Sequence, residues 1–180
     1  MKEITYEQIK SSVKNAFLTA NTDVIKVRDY LDGIKDKEES STGKIILDQL
    51  ISNANLAHEL GIPSCQDTGM SVVFCNIGTD VAVSGGAIED AINDGVREAY
   101  EIGHFRKSVV DPISRENTKD NTPAIVHYSV TEGNKLELTV LPKGFGSENM
   151  SEIVMLTPAA GLEGALDFIV DVVRRKGANA

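Results

Sequence analysis

Apolar residues at helical spacing and apolar residues at strand spacing occupy separate blocks of this chain instead of alternating. Three helical stripes come first. Tyr6, Ile9, Val13, Phe17 and Ala20 recur every three or four residues behind a capping-box sequence, Thr5-Tyr6-Glu7-Gln8, which predicts a helix over residues 6–20. Asn21-Thr22-Asp23 breaks it and caps a shorter helix through about Leu31, and the polar stretch Asp32 to Gly43 reads as a solvated linker. From Lys44, Leu47, Leu50, Ile51, Ala54, Ala57 and Leu60 mark a third helix, closed by Gly61 and Pro63.

Strand patterns follow. Residues 71–77 are apolar on nearly both sides and predict an interior strand, with Val81-Ala82-Val83 returning beside it. Ile88, Ala91, Ile92, Val96, Ala99 and Ile102 predict a helix from about Ala87 to Ile102, ahead of a long loop from Gly103 to Pro123. A loop of that length inside a compact domain is often functional. Ala124 to Val130 and Lys135 to Leu141 alternate around Glu132-Gly133-Asn134, the strongest hairpin signal in the chain. A last helix carries Leu162, Leu166, Ile169 and Val173 and ends on Arg174-Arg175-Lys176, cations that complement its dipole. The class expected is α+β, helices packed with an antiparallel, hairpin-containing sheet, in a single domain over residues 1–180.

Net charge of −9 argues against nucleic acid and against anionic membrane surfaces as partners, though a pocket can still be locally positive. No apolar run approaches the ~20 residues of a membrane span, and Met1-Lys2-Glu3-Ile4 leads into a polar helix without a signal-peptide core, so a cytoplasmic location is expected. Two cysteines, Cys65 and Cys75, are too few for a disulfide framework.

Cys65 stands just after a proline turn and just before the interior strand, followed by an amide, a carboxylate, a hydroxyl and Gly69. Glycine there gives the loop freedom to close on a ligand. By chemistry alone three readings are open: a free thiol in a turn, an iron ligand, or a nucleophile activated by His58, His104 or His127. Cys75 reads as a buried strand cysteine.

Four ordered stretches carry a resemblance. They are Ile62-Pro63-Ser64-Cys65-Gln66-Asp67-Thr68-Gly69, Arg106-Lys107-Ser108-Val109-Val110-Asp111-Pro112, Asp120-Asn121-Thr122-Pro123-Ala124, and Pro142-Lys143-Gly144-Phe145-Gly146-Ser147-Glu148-Asn149-Met150. Together they resemble the iron–sulfur hydro-lyases of the class I fumarate hydratase and L(+)-tartrate dehydratase type, in which three cysteines hold a 4Fe-4S cluster with one open, Lewis-acidic iron. The resemblance implies that Cys65 is one cluster ligand, that Gln66 and Asp67 contact substrate, and that Asp67 handles a proton. It implies that Arg106 clamps a carboxylate and that Gly144 and Gly146, in the Gly144–Ser147 loop, offer backbone N–H groups to anionic oxygens. Against these stand an Asx-turn role for Asp67 and a surface role for Arg106.

In that family the region after Arg174-Arg175-Lys176-Gly177-Ala178-Asn179 leads on to a second cluster cysteine, whereas this sequence ends at Ala180. The expectation is therefore the N-terminal part of a longer α subunit, without a cluster on this chain alone and completed by a β subunit or C-terminal domain in an oligomer. The reaction implied is hydration or dehydration of a small dicarboxylate, fumarate/malate or tartrate/oxaloacetate. The alternative is a non-catalytic partner or scaffold domain that keeps the same fold.

Overall fold

The computed structural model describes residues 1–146 and 150–176. Thr5 opens the first helix as its sequence predicts. Its hydroxyl accepts from Gln8 N at 3.3 Å and its own N–H donates to Gln8 Oε1 at 2.9 Å, and helix α1 runs Tyr6–Thr22 with Ile9, Val13 and Phe17 buried. Helices α2, Ile25–Lys35, and α3, Ser41–Leu60, pack against each other. The expected linker shrinks to residues 36–40, because α2 continues through Lys35 and Ser40 caps α3, its hydroxyl accepting from Gly43 N at 3.2 Å. Only Ala54 and Ala57 of α3 are buried, while Leu50 and Leu60 of the expected stripe stay exposed. Small side chains make the inward contact, so the large ones on either flank remain in solvent.

Before α1, Lys2–Thr5 forms strand β1. The other strands are β2, Met70–Gly78; β3, Val81–Ser84; β4, Ile125–Thr131; and β5, Leu136–Lys143, with helix α4, Ile88–Ile102, between β3 and β4. β3 does not return beside β2: it pairs in parallel with β1, which the reading of the N-terminus as a helix lead-in left out. β2 is the central strand of a three-stranded sheet ordered β4-β2-β5, parallel to β4 and antiparallel to β5.

The class is α+β with an antiparallel pair in the sheet, as expected. The chain does reverse at Glu132-Gly133-Asn134, but β4 and β5 lie on opposite sides of β2. Two strand spacings separate them by roughly 10 Å, a distance that residues 132–135 can bridge. They do so across the end of β2, where Gly78 N and Asp80 N each donate, at 2.8 Å, to Lys135 O and Gly133 O respectively. A Cβ on Gly78 would lie 2.3 Å from Gly133 O and 2.8 Å from Lys135 O, so a side chain there would block the crossing.

Helices α1 and α4 cover one side of this arrangement and share a core of Ile9, Val13, Phe17, Val73, Ile92, Val96 and Tyr100. The two helices are in close contact at Gly95, where a Cβ would stand 2.6 Å from Lys10 O and 2.8 Å from Val13 Cβ. At the rim, Lys10 and Lys14 reach Glu98 at 2.6 and 3.2 Å.

The chain divides into two compact units, Met1–Lys143 and one beginning at Gly144. The second contains a 3-10 turn, Pro158–Ala160, and helix α5, Gly161–Lys176, with Arg174, Arg175 and Lys176 in its last turn. Arg175 bonds Asp171 at 2.8 Å and Glu152 at 2.9 Å. Among the described residues no helix is long and apolar enough to cross a membrane.

Candidate functional site

The segment between α3 and β2 is fastened before it reaches Cys65. Gly61 ends α3 in the left-handed conformation (φ 62°), Ile62 N bonds Ala57 O at 3.0 Å, and Asn53 Nδ2 donates to Ser64 O at 2.8 Å. It is fastened again behind the cysteine. Thr68 is buried, its hydroxyl donates to Arg106 O at 3.0 Å, and its carbonyl accepts from Tyr100 Oη at 2.7 Å. Gly69 follows at φ 67°, a conformation that favours glycine. Between these anchors Cys65 and Gln66 are left exposed, and Asp67 N donates to Cys65 Sγ at 3.4 Å. A backbone dipole is thus aimed at the sulfur.

This turn forms one wall of a pocket of about 640 Å³. Cys65, Gln66 and Thr68 line one side, His104 and Arg106 another, and Leu60, Ile62 and Ile102 add apolar surface. Ile102, expected in the core stripe of α4, is exposed here, while Tyr100 takes the buried position that the stripe omitted. Arg106 is exposed, and among the described residues its guanidinium makes no ion pair or hydrogen bond. Arg97 is the contrast: it is held by Asp94 and, at 3.0 Å, by Asp120. A guanidinium without a protein carboxylate keeps its planar fork of donors for an anion from solution.

The loop from Gly103 to Pro123 has no helix and only one isolated bridge, Val110 with Asn117, yet side chains give it a defined path. Asp111 Oδ1 accepts from Ser114 N at 2.7 Å and Ile113 N at 2.9 Å, bonds that hold its carboxyl below the ordinary value. Burial alone would raise the Asp120 carboxyl, but the Thr122 hydroxyl and N–H and the Arg97 guanidinium outweigh it and keep it low. Asn121 is fully buried at φ 62°. Its Oδ1 accepts from Ser108 N at 2.7 Å and Val109 N at 3.2 Å, and its Nδ2 donates to Gly69 O at 3.1 Å. Burial, with the nearby Asp67 carboxylate adding to it, pushes the Tyr100 phenol up, so Tyr100 remains a proton donor to Thr68 O at neutral pH.

The structure brings Cys65, Gln66 and Arg106 to one pocket, with Asp67 half-buried on the same turn. Of the three histidines considered beside Cys65, only His104 lines that pocket. His127 is exposed on β4 and stacks on Phe74 with ring centroids 5.1 Å apart. Cys75 is a free thiol wholly buried in β2, and burial pushes its pKa up. Gly144 and Gly146 belong to the second unit, and a Cβ on Gly146 would meet no atom within 4 Å among the described residues. Ser147, Glu148 and Asn149, which complete that stretch, and Gly177-Ala178-Asn179 lie outside the described residues. Sequence reasoning quoted Thr68 and Asn121 within ordered stretches but gave neither a role, and it passed over Tyr100. Tyr100 was the most accessible of them, lying four residues beyond Val96 on the buried side of α4.

The family model described as Fumarate hydratase (Fumerase) matches residues 7–180. The chain belongs to this family. It is 36% identical over 157 residues to a Methanocaldococcus jannaschii protein described as "Putative L(+)-tartrate dehydratase subunit alpha", covering 84% of this chain and 55% of that one. It is 29% identical over 158 residues to the L(+)-tartrate dehydratase subunit alpha of Escherichia coli (strain K12), covering 86% and 52% respectively. The chain thus spans about half the length of these curated relatives. The family match takes in all four of the ordered stretches that carry the resemblance.

Proposed function

We infer that this chain contributes to an iron–sulfur hydro-lyase that reversibly adds water to, or removes it from, a small dicarboxylate. The observation that carries this reading is a shared pocket: an exposed thiol, Cys65, and an exposed guanidinium, Arg106, which has no side-chain partner among the described residues, line the same cavity of about 640 Å³. An anion held by Arg106 would therefore lie beside the Cys65 turn. Family membership and the tartrate dehydratase relatives support the same chemistry.

Dehydration breaks a C–O bond and a neighbouring C–H bond. Arg106 suits the substrate carboxylate, which is planar and accepts two parallel hydrogen bonds. The Gln66 amide, exposed at the pocket, orients a second polar group of the substrate. Asp67 takes the proton from the carbon next to a carboxylate and returns it in the hydration direction. The resemblance also gives the backbone N–H groups of Gly144 and Gly146 an anion-binding role.

Cys65 is exposed at the pocket and receives a backbone hydrogen bond on its sulfur, which suits a ligating thiolate, whereas Cys75 is buried in the sheet. Among the described residues no group of three or more His, Cys, Asp and Glu side chains gathers to hold a metal. Cys65 therefore fits as one ligand, and the other thiolates would come from a C-terminal domain or a β subunit. When bound, a 4Fe-4S cluster supplies an open iron as a Lewis acid for the hydroxyl group. On this reading residues 1–180 act as one N-terminal domain within an oligomeric enzyme.

The test is anaerobic assay of the assembled enzyme for fumarate hydration and for L(+)-tartrate dehydration. Turnover of at least one pair is expected. No turnover of either by an iron-loaded preparation would overturn the reading and favour a scaffold role for this chain.

A further inference from the structure

Asp120-Asn121-Thr122-Pro123-Ala124 was singled out by sequence, yet none of its residues lines the pocket that holds Cys65 and Arg106. Asn121 nevertheless touches both segments that form that pocket. Its Oδ1 accepts from Ser108 N and Val109 N, just beyond Arg106, and its Nδ2 donates to Gly69 O, at the end of the Cys65 turn. The side chain is fully buried, so each of these bonds lies away from competing water.

We propose that Asn121 is a positioning residue that fixes the spacing between the Cys65–Gly69 turn and the Arg106 segment. The claim rests on the hydro-lyase reading for its consequence in turnover, and on geometry alone for the clamp itself.

Asparagine meets the requirement where its neighbours in chemistry do not. The site needs an acceptor for two N–H groups at one end of a short planar group and a donor at the other. Aspartate keeps the acceptors but has no donor, and it would set a carboxylate against Gly69 O. Glutamine is one methylene too long for a packed position. The backbone adds a second constraint, since φ 62° is a conformation that asparagine, aspartate and glycine tolerate best. Asp120 stabilises that backbone from the side: its Oδ1 accepts from Thr122 N at 3.0 Å and from Thr122 Oγ1 at 2.7 Å, while Arg97 Nε bonds its Oδ2 at 3.0 Å. Thr68 Oγ1 to Arg106 O is a second, weaker tie between the same two segments.

Two variants separate the bonds. Asn121→Gly keeps the backbone freedom and removes all three. Asn121→Asp keeps the two to Ser108 and Val109 and removes the one to Gly69. Hydrogen exchange on the full chain reads the clamp without any assay of activity. In Asn121→Gly, the Ser108 and Val109 amides and the amides of residues 67–69 should all exchange at least about tenfold faster, while buried α1 and α4 amides keep their protection. In Asn121→Asp, only the amides of residues 67–69 should change. In the assembled enzyme, both variants should lose roughly 10- to 100-fold in kcat with a smaller change in KM and unchanged iron per chain, as expected when reacting groups are displaced by about an ångström.

Wild-type kcat and KM per folded enzyme in both variants would overturn the proposal, even if amide protection fell. Unchanged exchange at residues 67–69 in both variants would overturn the clamp directly. If the assembled wild-type enzyme turns over no dicarboxylate, the hydro-lyase reading fails, and the exchange data still decide whether Asn121 joins the two segments. If Asn121→Gly does not fold, Asn121→Asp together with Thr68→Val, which removes the bond to Arg106 O, decides the matter by the same readouts.

Discussion

Gly95→Ala in α4 should destabilise the protein although alanine is the better helix former. Replacing an interior helical glycine by alanine is worth about 1 kcal/mol in propensity. The structure opposes that gain. The added carbon would stand 2.6 Å from Lys10 O and 2.8 Å from Val13 Cβ, where ordinary contacts require roughly 3.5 Å. Lys10 O is backbone, so no rotamer change relieves the overlap, and α1 must move away from α4. Overpacking of this kind costs about 1–3 kcal/mol, and a backbone contact belongs in the upper part of that range. The net expectation is a loss of about 1–2 kcal/mol, or roughly 3–6 °C in Tm for a chain of this size. Urea and thermal unfolding of the full chain, followed by far-UV circular dichroism, provide the measurement. Gly33→Ala in α2 is the control, because a Cβ there meets nothing within 4 Å. It should gain about 0.5–1 kcal/mol from propensity alone. A Gly95→Ala variant as stable as wild type, or more so, would refute the helix packing described above.

Two substitutions at the pocket separate chemical roles from structural ones. Asp67→Asn retains the shape of the turn and the backbone N–H that bonds Cys65 Sγ, so iron content in the assembled enzyme should be normal while kcat falls at least about a hundredfold. Near-wild-type turnover would leave Asp67 as a turn residue. Arg106→Lys keeps the charge and loses the bidentate fork, so KM for the dicarboxylate should rise more than kcat falls. Unchanged kinetics would return Arg106 to the surface.

Local rules made most of the helices legible before any coordinates. The Thr5 capping box, the Gly61 C-cap and the stripe Ala91, Ile92, Val96 and Ala99 all behave as their spacing predicts. Strand partners were less legible, because alternation identifies a strand and a glycine turn identifies a reversal, but neither names the neighbour. β3 paired with a four-residue N-terminal strand, and the reversal at Gly133 straddled β2 because Gly78 leaves room for it. At the site, Cys65, Gln66 and Arg106 were visible as reactive residue types in ordered motifs. The roles of Thr68, Tyr100 and Asn121, which hold those segments together, were hidden because their bonds run to backbone atoms 31 to 52 positions away or across a loop. Periodicity carries no record of such contacts.

A paired cysteine replacement tests the proposed iron ligation by Cys65. In the assembled enzyme, Cys65→Ser and Cys75→Ser should be prepared anaerobically and compared for iron and sulfide content and for the visible spectrum of the cluster. On the proposed reading the exposed Cys65, which accepts from Asp67 N, is the ligand, whereas Cys75 is buried in the sheet. Cys65→Ser should therefore lose the 4Fe-4S spectrum and the activity together, and Cys75→Ser should keep both. A full cluster in Cys65→Ser would contradict the assignment and turn attention to a nucleophilic thiol beside His104.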